Sequence, residues 1–249
     1  MSAELAGRRA LVTGAASGIG AAIARAYAER GAHVIVADLN GDDAAEVADS
    51  IGGEAWQVDF SDTAALATTK LEVDILVNNA GIQHVSPIES FDPGKFHLIM
   101  ALMVEAPFLL IRAALPAMYE RGYGRIVNIA SVHGVRASAN KSAYVAAKHG
   151  LTGLSKVAAL EGAAHGVTSN CINPGYVLTP LVEKQIADQA RVHNIDESEV
   201  VEKVLLAHNP IKKMVDVADV ASLACWLVGP HASMVTGASY AMDGGWSAQ

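Results

Sequence analysis

The chain is poor in charge, in cysteine and in long apolar runs, and each shortage removes a class of protein. Only 18% of its 249 residues are Asp, Glu, Lys or Arg while 51% are hydrophobic, the reverse of the balance that keeps a chain disordered. The net charge of −8 opposes nucleic acid and anionic membrane as partners, although a locally basic pocket for a small anion is compatible with it. The two cysteines, Cys171 and Cys225, stand far apart in apolar stretches. That is the pattern of buried free thiols in a reducing compartment rather than of a disulfide framework. No apolar run approaches about twenty residues and no signal-like segment opens the chain, so the expectation is a soluble, cytoplasmic protein. Asn140-Lys-Ser142 matches a glycosylation sequon, which a cytoplasmic chain never presents for modification. No linker, repeat or low-complexity stretch interrupts the chain, and residues 1–249 read as one domain.

What is present is an alternation of strand and helix. Apolar runs at 9–13, 33–37, 54–58, 74–78, 124–130, 167–172 and 238–242 predict strands, and helical patterns fill 18–30, 42–51, 95–121, 142–163 and 216–228. The strand runs are continuous rather than alternating, which predicts a parallel sheet covered on both faces: an α/β, doubly wound (Rossmann) fold. The long helix is expected to break or kink near Pro107. Between Asp59 and Asp74 there is room for about two or three helical turns at most. Residues 178–213 mix helix formers and charges with Pro180 and Pro210, and read as a helical lid over a ligand at the C-terminal edge of the sheet.

The first strand-to-helix junction runs Thr13-Gly14-Ala-Ala-Ser17-Gly18-Ile19-Gly20, the context a dinucleotide fingerprint requires. Gly14 permits the tight turn, Gly18 lets the backbone approach a pyrophosphate, Gly20 allows close helix packing, and the helix N-terminus meets the phosphates. Asp38 closes the second strand eighteen residues after Gly20. A carboxylate there accepts from a ribose 2′-OH and repels a 2′-phosphate, favouring NAD over NADP. Asp59, closing the third strand, suits the adenine amino group, and Asn78-Asn79-Ala80-Gly81 gives adenosine a small-residue bed. Leu39, Phe60, Pro174, Gly175, Val177 and Thr179 complete the expected cofactor contacts.

Ser131 ends the fifth strand run, Tyr144 follows thirteen positions later, and Lys148 lies four beyond that. On one helix the i,i+4 spacing puts Tyr144 and Lys148 on one face, where the cation is expected to lower the phenol from about 10 towards neutrality. Tyr144 then exchanges a proton with a substrate oxygen that Ser131 holds. His133 and Lys141 are unusual so close to this pair, and they set donor groups where a substrate carboxylate needs them.

Together, TGAASGIG, Asp38, NNAG, Ser131, Tyr144-x-x-x-Lys148 and Pro174-Gly175 resemble the short-chain dehydrogenase/reductase family over essentially the whole chain. Stretches outside that shared core, NNAGIQHVSPIESF (78–91), IASVHG (129–134), PGYVLTPLVEKQI (174–186) and DGGWSAQ (243–249), resemble its branch that oxidises (R)-3-hydroxybutyrate. The resemblance implies Tyr144 as general base, Ser131 as the hydroxyl-polarising partner, and Lys148 as Tyr activator and ribose ligand. It implies a carboxylate pocket of Gln83, His133, Lys141 and Gln185 walled by Tyr176 and Trp246, with NAD as cofactor and a homotetramer. No active-site metal is implied, although the C-terminal carboxylate of Gln249 permits a divalent ion. A neutral polyol or sugar as substrate, or NAD binding without turnover, stay open as alternatives.

Three departures stand out. Tyr176 occupies a position where that branch carries Trp, and the Asp59–Asp74 crossover is short. Met103 stands where the family places an Asn that helps hold a proton-relay water, and no Asn lies between Asn79 and Asn128. A thioether is a weak acceptor and donates nothing. The expectation is that a backbone carbonyl still holds the water and that proton release slows while hydride transfer survives.

Overall fold

The computed structural model describes residues 4–248, leaving out the side chains of Pro180, Leu181 and Lys184. Seven strands, β1 (Arg9–Thr13), β2 (His33–Asp38), β3 (Glu54–Gln57), β4 (Ile75–Asn78), β5 (Gly124–Ile129), β6 (Val167–Pro174) and β7 (Ser239–Met242), form one sheet in the order β3-β2-β1-β4-β5-β6-β7. Every pairing is parallel. The order reverses beside β1, so the C-terminal ends of β1 and β4 diverge and open a crevice, the place where such sheets bind ligands.

Both faces of the sheet are apolar, as the continuous strand runs require. Ala10 and Val12 of β1 join one core layer with Val34, Val36, Val77 and Val127, beneath α1 (Gly18–Ala28), α2 (Gly41–Ile51) and α9 (Val217–Val228). Leu11 points the other way and joins Leu76 and Ile126 beneath α5 (Ala106–Arg121) and α6 (Ser142–Gly162). Each such fully buried aliphatic side chain contributes roughly 1.5–3 kcal/mol. A buried ladder of amides and hydroxyls also crosses the sheet: Asn78 Nδ2 donates to Asn128 Oδ1, and Asn128 Nδ2 to Ser169 Oγ. It sets the β4, β5 and β6 ends level where the site forms.

The crossover after β3 holds a single helical turn, α3 (Thr63–Leu66), shorter than the two or three turns the length allows. The long helix is interrupted as expected near Pro107. α4 (Pro93–Met100) passes into a π-helical turn at Ala101–Glu105, where the Ala106 N–H reaches Ala101 O, before α5 begins. Pro107 has no N–H to complete the ordinary ladder, and the wider register absorbs that loss. This helical stretch, Pro93–Arg121, is long and apolar enough to cross a membrane, contrary to the reading that no apolar run is. Half of its most apolar window is buried in the protein; the scattered Glu105 and Arg112 hid its overall hydropathy.

The lid region folds into α7 (Pro180–His193) and α8 (Glu197–Val200), followed by a second π turn at Val201–Leu205. A one-residue parallel bridge, Val177 with Val215, closes its base. Val182, Ala190, Val200 and Leu205 give it a small core of its own, which also packs Tyr176.

Candidate active site

The glycine turn is held in place by β4. Asn79 Nδ2 donates to the carbonyls of Thr13 and Gly14, while Thr13 Oγ1 accepts from the Asn79 and Ala80 N–H groups and donates to Val77 O. Gly14 has φ +62°, and a Cβ there meets Ala80 Cα at 2.8 Å; at Gly20 it meets Gly14 O at 2.2 Å. Thr13 and Gly20 therefore build the turn from behind rather than line the cleft. Asp38 tightens it further, its Oδ2 accepting from the Ala16 N–H at 3.0 Å and its Oδ1 from the Asn40 N–H at 3.1 Å. At the α1 N-terminus Ser17 makes no capping hydrogen bond, which leaves first-turn N–H groups for an anion.

In front of this turn lies a cleft of about 800 Å³, lined among others by Gly14, Ser17, Gly18, Ile19, Asp38, Leu39, Asp59, Phe60, Asn79, Ala80, Gly81 and Thr179. Its size, glycine bed and free helix N-terminus fit a dinucleotide. Three aspartates, Asp38, Asp59 and Asp188, face it, and no Lys or Arg does among the described lining residues. The Asp59 carboxyl lies below its ordinary range because the Ser61 hydroxyl and N–H both donate to it.

The cleft runs into a recess of about 90 Å³ lined by Met103, Ser131, Tyr144, Lys148, Pro174, Gly175, Val177 and Thr179, among others. Ser131 reaches it from the end of β5, and Tyr144 and Lys148 from one face of α6 as their spacing requires. Lys148 is 4% exposed and donates to Ile129 O at 2.6 Å. Its Nζ lies 5.5 Å from the Tyr144 ring centroid. The protonation states differ from the sequence reading. Burial pushes the Tyr144 phenol up to about 12, only partly offset by a hydrogen bond with Ser131, and burial brings Lys148 down to about 8. The ammonium sits against the ring and is turned to a carbonyl, so desolvation outweighs its attraction for the phenolate.

A second recess, about 50 Å³, shares Ser131, Tyr144 and Gly175 with the first and adds Gln83, His133, Lys141, Tyr176, Val182 and Gln185. Lys141 is 3% exposed and donates to Tyr176 Oη at 2.7 Å; burial holds it at about 8. No carboxylate pairs with it among the described residues. Both amide atoms of Gln83 are buried without a partner. His133 lines the recess, but both its ring nitrogens are engaged: Nδ1 with Ser131 Oγ at 3.3 Å and Nε2 with Ser138 Oγ at 3.0 Å. Burial, then the Lys141 charge, take its imidazole down to about 3. Trp246 stands behind the wall, stacked on Tyr176 at 6.1 Å and edge-on to His133 at 5.3 Å.

A family model described as short chain dehydrogenase matches residues 8–190. The chain belongs to the short-chain dehydrogenases. This dehydrogenase is 47% identical to a D-beta-hydroxybutyrate dehydrogenase of Rhizobium meliloti (strain 1021), across 97% of this chain and 99% of the relative. It is 43% identical to one of Cupriavidus necator, across 98% and 99%. Among solved structures, a Beutenbergia cavernae protein designated an NAD(P)-dependent gluconate 5-dehydrogenase and holding NADP at low occupancy superposes over 100% of both chains, with a TM-score of 0.87 and 37% identity.

The structure brings together every expected site residue of the dehydrogenase, with Thr13, Gly20 and Trp246 as supports behind the walls. It adds Val182, which lines both recesses, Asp188 in the cleft, and Ser138 behind His133. Helical phase within α7 places Val182 and Asp188, and that phase was not legible in a segment read only as a lid. Gln249 lies outside the described residues. Among the described residues no three His, Cys, Asp or Glu side chains gather as a metal site.

Proposed function

We propose that the dehydrogenase oxidises (R)-3-hydroxybutyrate reversibly to acetoacetate with NAD. The observation that carries this reading is Lys141: a buried ammonium with no carboxylate beside it among the described residues, facing the same 50 Å³ recess as the orphaned Gln83 amide, next to Ser131 and Tyr144. A buried cation costs several kcal/mol unless an anion meets it, and a small carboxylate satisfies both groups at once. The named activity of the two relatives supports the same substrate. NAD, when bound, supplies the ring that accepts hydride and the positive charge that brings the Tyr144 phenol down from about 12. Tyr144 as phenolate takes the hydroxyl proton, and Ser131 hydrogen-bonds the same oxygen. Lys148, at the floor of the same recess, would hold the cofactor's ribose and add positive charge beside Tyr144. Lys141, Gln83 and Gln185 orient the carboxylate, so the reacting carbon is positioned before chemistry begins. Asp38, with no Lys or Arg among the described residues that line the cleft, supports NAD over NADP.

We place the enzyme in the cytoplasm, where Cys171 and Cys225, both free and buried, stay reduced. A homotetramer covers two apolar surfaces, the outer face of the long helix with Phe96 and Phe108, and the β7 edge with Trp226 and Met234.

The test follows NADH absorbance with NAD and (R)-3-hydroxybutyrate, the (S) acid, or 2-butanol. Turnover of the (R) acid alone is the expected result. Activity confined to 2-butanol retains the tyrosine chemistry and removes the carboxylate pocket. A protein that binds NAD yet oxidises none of the three is not a 3-hydroxybutyrate dehydrogenase.

A further inference from the structure

Lys141 is the buried cation of the 50 Å³ recess, and the group that touches it is a phenol. Tyr176 lines the same recess and is 8% exposed. Among the described residues its Oη has one hydrogen-bond partner, the Lys141 ammonium, which donates to it at 2.7 Å. The ammonium stands 4.8 Å from the ring centroid, off the hydroxyl end of the ring rather than over its face. In that bond the phenol is the acceptor, because an ammonium only donates. The phenol's own proton is left over. It turns away from the cation, and no acceptor among the described residues takes it.

We propose that this hydroxyl is a specificity-determining ligand of the substrate: Tyr176 Oη accepts from Lys141 and donates its own proton to one oxygen of the carboxylate that Lys141 neutralises. The proposal rests on the carboxylate reading of the recess and deepens it. A phenol that accepts from an ammonium is polarised, and donates more strongly than a free one. Lys141 keeps N–H groups beyond the one on Tyr176, so a single carboxylate oxygen lies against cation and hydroxyl together. Burial pushes the Tyr176 phenol up, and the hydroxyl therefore keeps the proton it donates.

A donor selects between ligands only if it cannot swing away, and the Tyr176 ring is held. It stacks on Trp246 at 6.1 Å with 12° between the planes, and Trp246 stacks in turn on His208 at 5.7 Å. Val182, Val200 and Leu205 of the lid pack in the same apolar cluster. The main chain is tied on both sides: the Gly175 N–H donates to Met242 O, and Tyr176 O accepts from the Val215 N–H, each at 2.9 Å. The consequence is a choice between ligands of nearly the same shape. A primary amide in place of the carboxylate brings one acceptor oxygen and no charge. From Tyr176 it takes a neutral hydrogen bond where the carboxylate takes a charge-assisted one, which is about twice as strong.

The test measures kcat and KM of the wild type and of Tyr176→Phe for (R)-3-hydroxybutyrate and for (R)-3-hydroxybutyramide. Tyr176→Phe keeps the ring and removes only its oxygen. KM for the acid is expected to rise about thirtyfold, the loss of one hydrogen bond to a charged group. kcat changes little, since the bond is made equally before and during hydride transfer. The amide loses about threefold, so the preference for acid over amide falls about tenfold. Lys141→Met with Tyr176→Phe makes both buried partners apolar, and serves if the single variant unfolds around a stranded ammonium. Added to Lys141→Met, Tyr176→Phe costs the acid less than about threefold, because the phenol has lost the group that aims and polarises it. An unchanged KM for the acid overturns the proposal. Equal losses for acid and amide do the same, as a sign of packing alone, and so does a full thirtyfold loss in the absence of Lys141. A wild type that oxidises neither compound, or does not prefer the acid, overturns the carboxylate reading itself, and that failure appears before any variant is compared.

Discussion

Lys141 shows what the site costs the fold. Its ammonium stands at about 8 in the folded protein against an ordinary 10.5. The folded form therefore binds fewer protons than the unfolded chain between those values, and its stability rises with pH across that window. Below about pH 8 the full penalty is present, on the order of 3 kcal/mol for a group so deeply buried. Lys141→Met removes that penalty and keeps the volume. The expected outcome is a higher Tm at pH 7 by differential scanning calorimetry, unchanged NAD affinity, and a KM for the acid raised about a hundredfold. In the wild type, kcat/KM for the acid falls as pH climbs through about 8 and the free enzyme's Lys141 loses its charge. A variant with unaltered KM, or one that loses stability, removes Lys141 from the carboxylate pocket.

At the scale of elements, the β1–α1 turn and the end of β2 act as one unit through Asp38. The same carboxylate that grips the Ala16 N–H faces the dinucleotide cleft, beside the exposed side chain of Leu39. The proposed preference for NAD over NADP rests on that one short segment. Replacing Asp38 with Ser and Leu39 with Arg removes the repulsion and supplies a guanidinium for a 2′-phosphate. The ratio of kcat/KM for NADP over NAD is expected to rise about a hundredfold, with some loss of Tm from the missing clamp. An unchanged ratio means that discrimination lies elsewhere in the cleft. The π turn in the long helix belongs to this scale too: it seats Met103 under Gly81, where a Cβ meets the thioether methyl at 3.3 Å.

The whole molecule leaves a long apolar helix half outside. Phe96 and Phe108 stay 40% and 48% exposed on it, a surface that water disfavours and that the proposed homotetramer covers. Phe96→Glu with Phe108→Glu is expected to lower the mass seen by light scattering while the far-UV spectrum is kept. A mass unchanged by the two charges moves the subunit contact off this helix.

Local chemistry was legible in the sequence wherever neighbours in the chain are neighbours in space. The glycine turn, the strand runs, and the shared face of Tyr144 and Lys148 depend on backbone geometry and on periods of two or four residues, so the order of the letters determined them. The partners of Lys141 and Asn79 lie 35 and 66 residues away, and only the folded sheet decided them. The same holds for Val182 and Asp188, whose direction depends on where α7 sits, and for Ser138, whose contact with His133 Nε2 depends on how its loop folds. Charge followed the same division. The spacing of Tyr144 and Lys148 suggested a lowered phenol, but burial raises it, because desolvation depends on everything packed around a group and not on its neighbour in the helix.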